Sequence, residues 1–200
     1  MMRKHSVAQT MFRLGWRMAL LAALCLTGVM YSAAIAAENP GPDAQPAAPA
    51  APTDVKAYGD WVVRCFPIKA PAQCDMFQAT LDKATQRRIV SISIAYAPST
   101  NFYAAKIIVP LEVRLDAGVV VTADKYTSAT LAYTRCEADG CYMEDRIDTA
   151  LIKNLDGAKL GSIMVKSVPG GRVILPLSLR GFSDALGAMK SLAIEKDRQR

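Results

Sequence analysis

The chain has 200 residues, 52% of them hydrophobic, with 24 Lys+Arg against 18 Asp+Glu and a formal charge of +6. That length limits it to one domain or two small ones, and the apolar content excludes a wholly disordered chain. The positive balance suggests nucleic acid or an anionic membrane as partner. However, Arg3, Lys4, Arg13 and Arg17 lie in the first 37 residues, where there is no acid, and the remainder holds 20 basic and 18 acidic side chains, +2. No nucleic-acid partner is expected, and the aromatic residues beyond the first segment are dispersed rather than gathered into a stacking surface.

The basic start is followed by an uncharged run, Met18 to Ala37, that ends in Ala34-Ile35-Ala36. A basic head, an apolar centre and a small-x-small end are the parts of a secretory signal peptide, predicted here as residues 1–36. Cleavage is expected after Ala36, with Ala37 the neighbouring alternative; the competing reading is an uncleaved membrane anchor, because the 20-residue uncharged run is long enough to span a bilayer. Leu24 precedes Cys25 where a lipoprotein signal carries a small residue, and this segment has no Arg-Arg pair. General secretion is therefore expected, with delivery to the periplasm, outer envelope or medium, and with membrane contact limited to the signal during export. Met11 is a second candidate start. Cleavage would also remove His5, the chain's one histidine.

Residues 37–54 hold five of the eleven prolines, at Pro40, Pro42, Pro46, Pro49 and Pro52. An Ala/Pro-rich stretch without apolar periodicity cannot build a core and is expected to be an extended spacer. The domain then spans residues 55–193. Short β-prone runs follow at Trp61 to Phe66, Cys74 to Leu81 and Arg87 to Ala97. In the last, Val90, Ile92, Ile94 and Tyr96 alternate with Ser91, Ser93 and Ala95, the pattern of a half-buried strand. Further strands are expected at Phe102 to Val109, Leu111 to Leu115, Val119 to Ala123, Tyr126 to Cys136, Gly161 to Val168 and Val173 to Leu179. Pro169-Gly170-Gly171 supplies a hairpin turn. Asp148 is placed to cap a short helix carrying Leu151, Ile152 and Leu155 and stopped by Gly157. Ser183 is placed to cap a second, whose Leu186, Met189 and Ala193 share a face with Phe182 and should pack on the sheet. The charged tail, residues 194–200, is expected to fray. The fold class is all-β: an antiparallel β-sandwich of about eight to nine strands, immunoglobulin-like or jelly-roll-like, with one short helix and a C-terminal helix.

Four cysteines remain after the signal: Cys65, Cys74, Cys136 and Cys141. In an exported chain an even number reads as disulfides. Three connectivities are possible. Local pairing is favoured, because each neighbouring pair flanks a short segment of turn residues. The competing reading is a four-cysteine zinc site, although a C-x8-C spacing is wide for structural zinc. No C-x-x-C occurs, which argues against a redox enzyme.

Without a histidine, the exported chain has no Ser-His-Asp triad, Cys-His nucleophile or His metal ligand. None of its serines has Lys three residues later. No phosphate-binding glycine motif and no cofactor are expected. Glu144, Asp145 and Asp148 form the one carboxylate cluster that suggests acid–base chemistry, which requires two carboxyls with separated pKa values. Asp148 already has a capping role.

Four segments together resemble the invasion-associated locus B family of exported α-proteobacterial proteins. They are Tyr58-Gly59-Asp-Trp61-Val-Val-Arg-Cys65, Pro110-Leu-Glu-Val113 to Gly118-Val119, Cys136-Glu-Ala-Asp-Gly140-Cys141 and Leu179-Arg-Gly181-Phe182-Ser-Asp-Ala-Leu186. Their order covers Tyr58 to Leu192. The resemblance implies an exported β-sandwich, marks Gly59, Trp61, Gly140, Gly181 and Phe182 as structural signatures, and carries no catalytic residues. It also implies a link to host-cell invasion in pathogenic relatives. The leading functional expectation is a noncatalytic envelope protein that binds another protein or an envelope component. A second is a periplasmic stabilising or chaperone-like factor using strand edges or an apolar groove. A third is a carboxylate-dependent envelope hydrolase.

Overall fold

Cross-strand register explains most of this architecture. A computed structural model of the chain describes residues 50–199. The expected signal peptide with Ala34, Ala36 and Ala37, and most of the spacer, lie outside the described residues. The larger sheet begins as a meander of β1 (Asp54–Tyr58), β2 (Trp61–Cys65), β3 (Cys74–Leu81), β4 (Arg88–Ala97) and β5 (Phe102–Val109). The smaller sheet contributes β6 (Val120–Ala123) and β7 (Tyr126–Thr127), after which β8 (Arg135–Glu137) and β9 (Gly140–Ile147) return to the first sheet beside β5. Helix α1 (Thr149–Leu155) precedes β10 (Gly161–Lys166) and β11 (Arg172–Leu177), and α2 (Phe182–Arg198) closes the fold. The result is an antiparallel seven-stranded sheet in the order β1-β2-β3-β4-β5-β9-β8, and an antiparallel four-stranded sheet in the order β11-β10-β6-β7.

A period of two gives the larger sheet two unlike faces. The inner face buries Trp61, Val63, Met76, Ile94, Ile107 and Met143, which share one core with Val119, Val121, Ile163 and Leu175 of the smaller sheet. Helix α2 adds Phe182, Ala185, Leu186, Met189 and Ala193, and it lies over β2, β3 and β4. The expected apolar stripe of this helix is therefore core. The outer face of the same sheet carries Arg64, Asp75, Phe77, Ser93, Ala95, Ala104, Lys106 and Glu144, placed in adjacent rows by the register of β2 through β9.

Several boundaries differ from expectation. Asp54 pairs with Cys65, and the Thr53 amide donates to the Cys65 carbonyl, so the sheet begins inside the expected spacer. The single strand expected over Tyr126 to Cys136 is divided. Ser128 Oγ accepts the Val121 amide and donates to the Ala129 carbonyl, bending the chain between β7 and β8. Over Leu111 to Leu115 only Val113 bridges, to Ser167. Glu112 takes φ 65°, and a 3-10 turn follows at Leu115–Ala117. Leu111 to Leu115 drops out as a strand, while β1, the division into β7 and β8, and the unexpected β9 turn the nine expected runs into eleven strands among the described residues. Asp148 caps α1 by accepting the Ala150 amide at 2.8 Å, and Gly157 follows the helix at φ 89°. Ser183 does not cap α2. Gly181 holds the N-cap position, and Ser183 Oγ instead donates to Asp156. The tail does not fray at Ile194: α2 continues to Arg198, with Lys196 paired to Asp54 at 3.3 Å. No helix among the described residues is long and apolar enough to cross a membrane.

Candidate functional site

The signature residues from the two ends of the domain meet on the inner side of the sheet. Gly59 (φ +60°) and Gly181 (φ +84°) bring their loops so close that a Cβ on Gly181 would stand 2.1 Å from the Tyr58 carbonyl oxygen. The Asp60 amide donates to the Arg180 carbonyl at 3.0 Å. Trp61 and Phe182 then meet edge to face, with ring centroids 5.2 Å apart, and Trp61 Nε1 donates to the Ser178 carbonyl at 2.9 Å. Gln78 Nε2 donates to that carbonyl too, while its Oε1 accepts the Ser178 amide. Arg180 and Ser178 hydrogen-bond the Asp60 carboxylate and hold its pKa below the usual value. These polar groups pair with one another and form a latch between β1–β2 and the start of α2. Gly140 is structural in the same sense: a Cβ there would lie 2.4 Å from the Val109 carbonyl oxygen.

The four cysteines form two bonds, Cys65–Cys74 and Cys136–Cys141. In each bond the partners sit directly opposite in the ladder. With all four sulfurs in disulfides, none is left to ligate zinc, and that alternative falls. The first disulfide is buried, whereas Cys136 of the second is exposed.

The first disulfide also shapes a groove. Residues 66–73 leave β2 and return into β3, held at the base by the Phe66 amide donating to the Gln73 carbonyl at 2.9 Å. This loop forms a wall above the outer face of the sheet. Two adjoining concavities, of about 330 Å³ and about 490 Å³, share Phe66, Ile68, Asp75, Ser93 and Lys106. Phe66, Ile68 and Ala72 line the wall, and Ser93, Ala95 and Ala104 make a floor of small side chains. Such a concavity, mainly apolar with a few fixed polar groups, is the usual form of a ligand site.

Four of its charged groups, Arg64, Asp75, Lys106 and Glu144, are paired, while Asp145 also borders the first concavity. Arg64 makes a two-pronged contact with Asp75, Nε to Oδ1 at 3.0 Å and a terminal nitrogen to Oδ2 at 2.6 Å, and Ser93 Oγ also donates to Asp75. The Arg64 guanidinium lies 4.0 Å from the Phe77 ring centroid and 5.4 Å from that of Phe66. At the far side Lys106 pairs with Glu144 at 3.2 Å, and Arg135 joins Glu144 to Glu137. Burial pushes the Glu144 carboxyl up, but hydrogen bonds from Arg135 and Lys106 outweigh it and hold the group below its ordinary pKa. The site thus presents fixed, mutually neutralised charges beside apolar surface.

The three carboxylates of the expected acid–base cluster do not converge. Glu144 lies on the outer face as an ionised partner of two cations. Asp145 is the next residue, on the opposite face, where it accepts the Arg146 amide. Asp148 is the cap of α1. A hydrolytic pair needs one carboxyl kept protonated, and the Glu144 environment works in the other direction. The groove residues Arg64, Phe66, Ile68, Ser93, Ala95, Ala104 and Lys106 escaped sequence reasoning. Their one sequence signal is the small and polar side of the Arg87–Ala97 alternation.

A family model described as "Invasion associated locus B (IalB) protein" matches residues 61–190, more than half of the chain. No curated protein matches it. Among solved structures, the crystal structure of invasion associated protein B from Bartonella henselae superposes with a TM-score of 0.62 at 19% identity, covering 70% of this chain and 98% of that one. At that identity the likeness carries the fold, and it agrees with the antiparallel two-sheet architecture. Family model and architecture together identify the chain as a member of the Invasion associated locus B family.

Proposed function

We propose that this chain is an exported, noncatalytic envelope protein that binds a segment of another protein or an envelope component in the groove beneath the Cys65–Cys74 loop. The observation that carries the reading is the pairing of charges around an open apolar cleft. Arg64, Asp75, Lys106 and Glu144 satisfy one another, while Phe66, Ile68, Ala95 and Ala104 border the space without a described neighbour filling it. A catalytic site would instead keep one group poised for proton transfer. Export is supported by the two disulfides, which persist in oxidising compartments, and by the signal-like first 36 residues. No described helix offers a membrane span.

The test is a photo-crosslinking amino acid placed at Ile68 of the protein in its own cells, with the same substitution at the exposed Lys83 as control. A discrete adduct from position 68 alone is expected. Equal labelling from both positions, or none from either, would remove the groove as a binding site.

A further inference from the structure

The smaller sheet ends in an open edge whose chemistry is specific. β11 is its outermost strand. The Ser167 amide donates to the Gly171 carbonyl at the turn, and β10 and β11 continue in register from Lys166↔Arg172 to Gly161↔Leu177. Antiparallel ladders alternate bonded and non-bonded pairs. Counting from the turn, Val173, Leu175 and Leu177 bond inward to β10, while the backbone groups of Arg172, Ile174 and Pro176 face away from it. No other strand lies on that side among the described residues.

Edge strands are normally shortened, charged or covered. The other edges follow that rule: β7 has two residues, β8 has three and leaves beyond it a stretch of β9 carrying Glu144, Asp145 and Arg146, and Asp54 of β1 is bridged by Lys196 of α2. β11 has six residues and carries consecutive exposed aliphatics, Val173 (37%) and Ile174 (67%). Charge is asymmetric along it. Arg172 lies opposite Lys166, and the Arg114 amide bonds to the Lys166 carbonyl, so three cations stand in one cross-strand row at the hairpin end. Arg114 is paired with Asp116, whose carboxylate also feels the charge of Lys166, and neither Lys166 nor Arg172 is within 4 Å of a carboxylate among the described residues. At the other end Pro176 has no N–H to give.

We propose that β11 is a strand-addition site for an extended segment of another protein, aliphatic beside Ile174 and carrying carboxylates beside Arg172 and Lys166. Backbone pairing to Arg172 and Ile174 supplies the affinity, and the cation row sets the polarity of the incoming strand. A second copy of this chain is a poorer occupant. Its β11 is basic rather than acidic, and a two-fold pairing about Ile174 would set Arg172 against the donor-less Pro176. The inference is independent of the groove reading, because it uses none of the groove residues.

The test uses the full purified chain and two fluorescent probe peptides, Glu-Glu-Val-Thr-Val-Thr-Val amide and the same peptide with both Glu replaced by Lys. Anisotropy is expected to show the acidic probe binding about tenfold tighter than the basic one. Hydrogen exchange at the Arg172 and Ile174 amides is expected to slow when the acidic probe is added. Ile174→Pro deletes a donor facing away from β10, so it should keep the thermal transition and lose about tenfold in probe affinity, whereas Ile174→Val should bind as the parent does. Should Ile174→Pro fail to fold, Arg172→Glu carries the test, since it should reverse the preference between probes. Absence of binding by the parent chain, equal affinity for the two probes, or unchanged exchange at Arg172 and Ile174 would each overturn the proposal.

Discussion

The two faces of the seven-stranded sheet are built from the same strands and use them in opposite ways. Inward, Trp61, Met76, Ile94 and Ile107 are buried against α2 and the smaller sheet, and the Gly59–Gly181 contact locks the first strands to the last helix. Outward, the alternate residues are small, charged or aromatic and carry ion pairs beneath a disulfide-closed loop. The inner face has the residues that are easiest to recognise, and they serve folding. The outer face has residues that look ordinary one at a time, and they assemble a cleft. The recognisable signatures in this protein therefore stand in its packing contacts.

That contrast can be broken by measurement. The largest expected effect is on the inner face: Trp61→Ala should lower stability by about 3–5 kcal/mol in urea unfolding, as for other buried aromatic truncations. Ile68→Ala on the groove wall should cost less than about 1 kcal/mol. Equal losses at the two positions would erase the distinction between the faces. Next comes the Cys65→Ser/Cys74→Ser double variant, expected to lose roughly 2–3 kcal/mol through loop-closure entropy and to weaken labelling from position 68. Under graded reductant, alkylation mapped by mass spectrometry should find Cys136–Cys141 opened first, because Cys136 is exposed while Cys65 and Cys74 are 0% and 1% exposed.

A smaller effect concerns pH. The folded pKa of Glu144 lies below its ordinary value of 4.5. Its pairs with Lys106 and Arg135 therefore contribute stability that is present above that value and is lost as pH falls through the lower, folded one. Between about pH 6 and about pH 3 the melting temperature of the parent should fall more steeply than that of Glu144→Gln. Parallel curves would mean that the outer-face pairs contribute no net stability. The smallest stability change should come from Ala95→Leu, whose parent side chain makes no hydrogen bond, within about 1 kcal/mol of the parent, yet filling the groove floor should abolish the adduct from position 68.

Much of the fold was legible because periodicity and turn chemistry are local. The alternation of Val90, Ile92, Ile94 and Tyr96, the Asp148 cap, the Gly157 stop and the stripe of α2 all appear as expected from neighbouring residues. Failures arose where a distant partner decided the outcome. Tyr126 to Cys136 has strand composition, but Ser128 turns to bond Val121 and the run divides. Ser183 has the side chain of a cap, but Asp156 claims it and Gly181 takes the position. The charged tail has no apolar face after Ala193 beyond Ile194, yet the helix persists where Lys196 meets Asp54.

The sequence by itself determined the class of fold, the four cysteines available for pairing, the absence of histidine beyond His5, and a nearly balanced charge after residue 37. Each of these depends on composition or on short-range order. Only the tertiary structure decided where the charges stand. Arg114, Lys166 and Arg172 are dispersed along the chain and become one row because antiparallel register sets them opposite one another. Arg64, Asp75, Ser93, Lys106 and Glu144 come from five strands and meet for the same reason. A net charge of +2 cannot distinguish a uniform surface from a neutral cleft and a basic edge, because register, not content, fixes which side chains become neighbours.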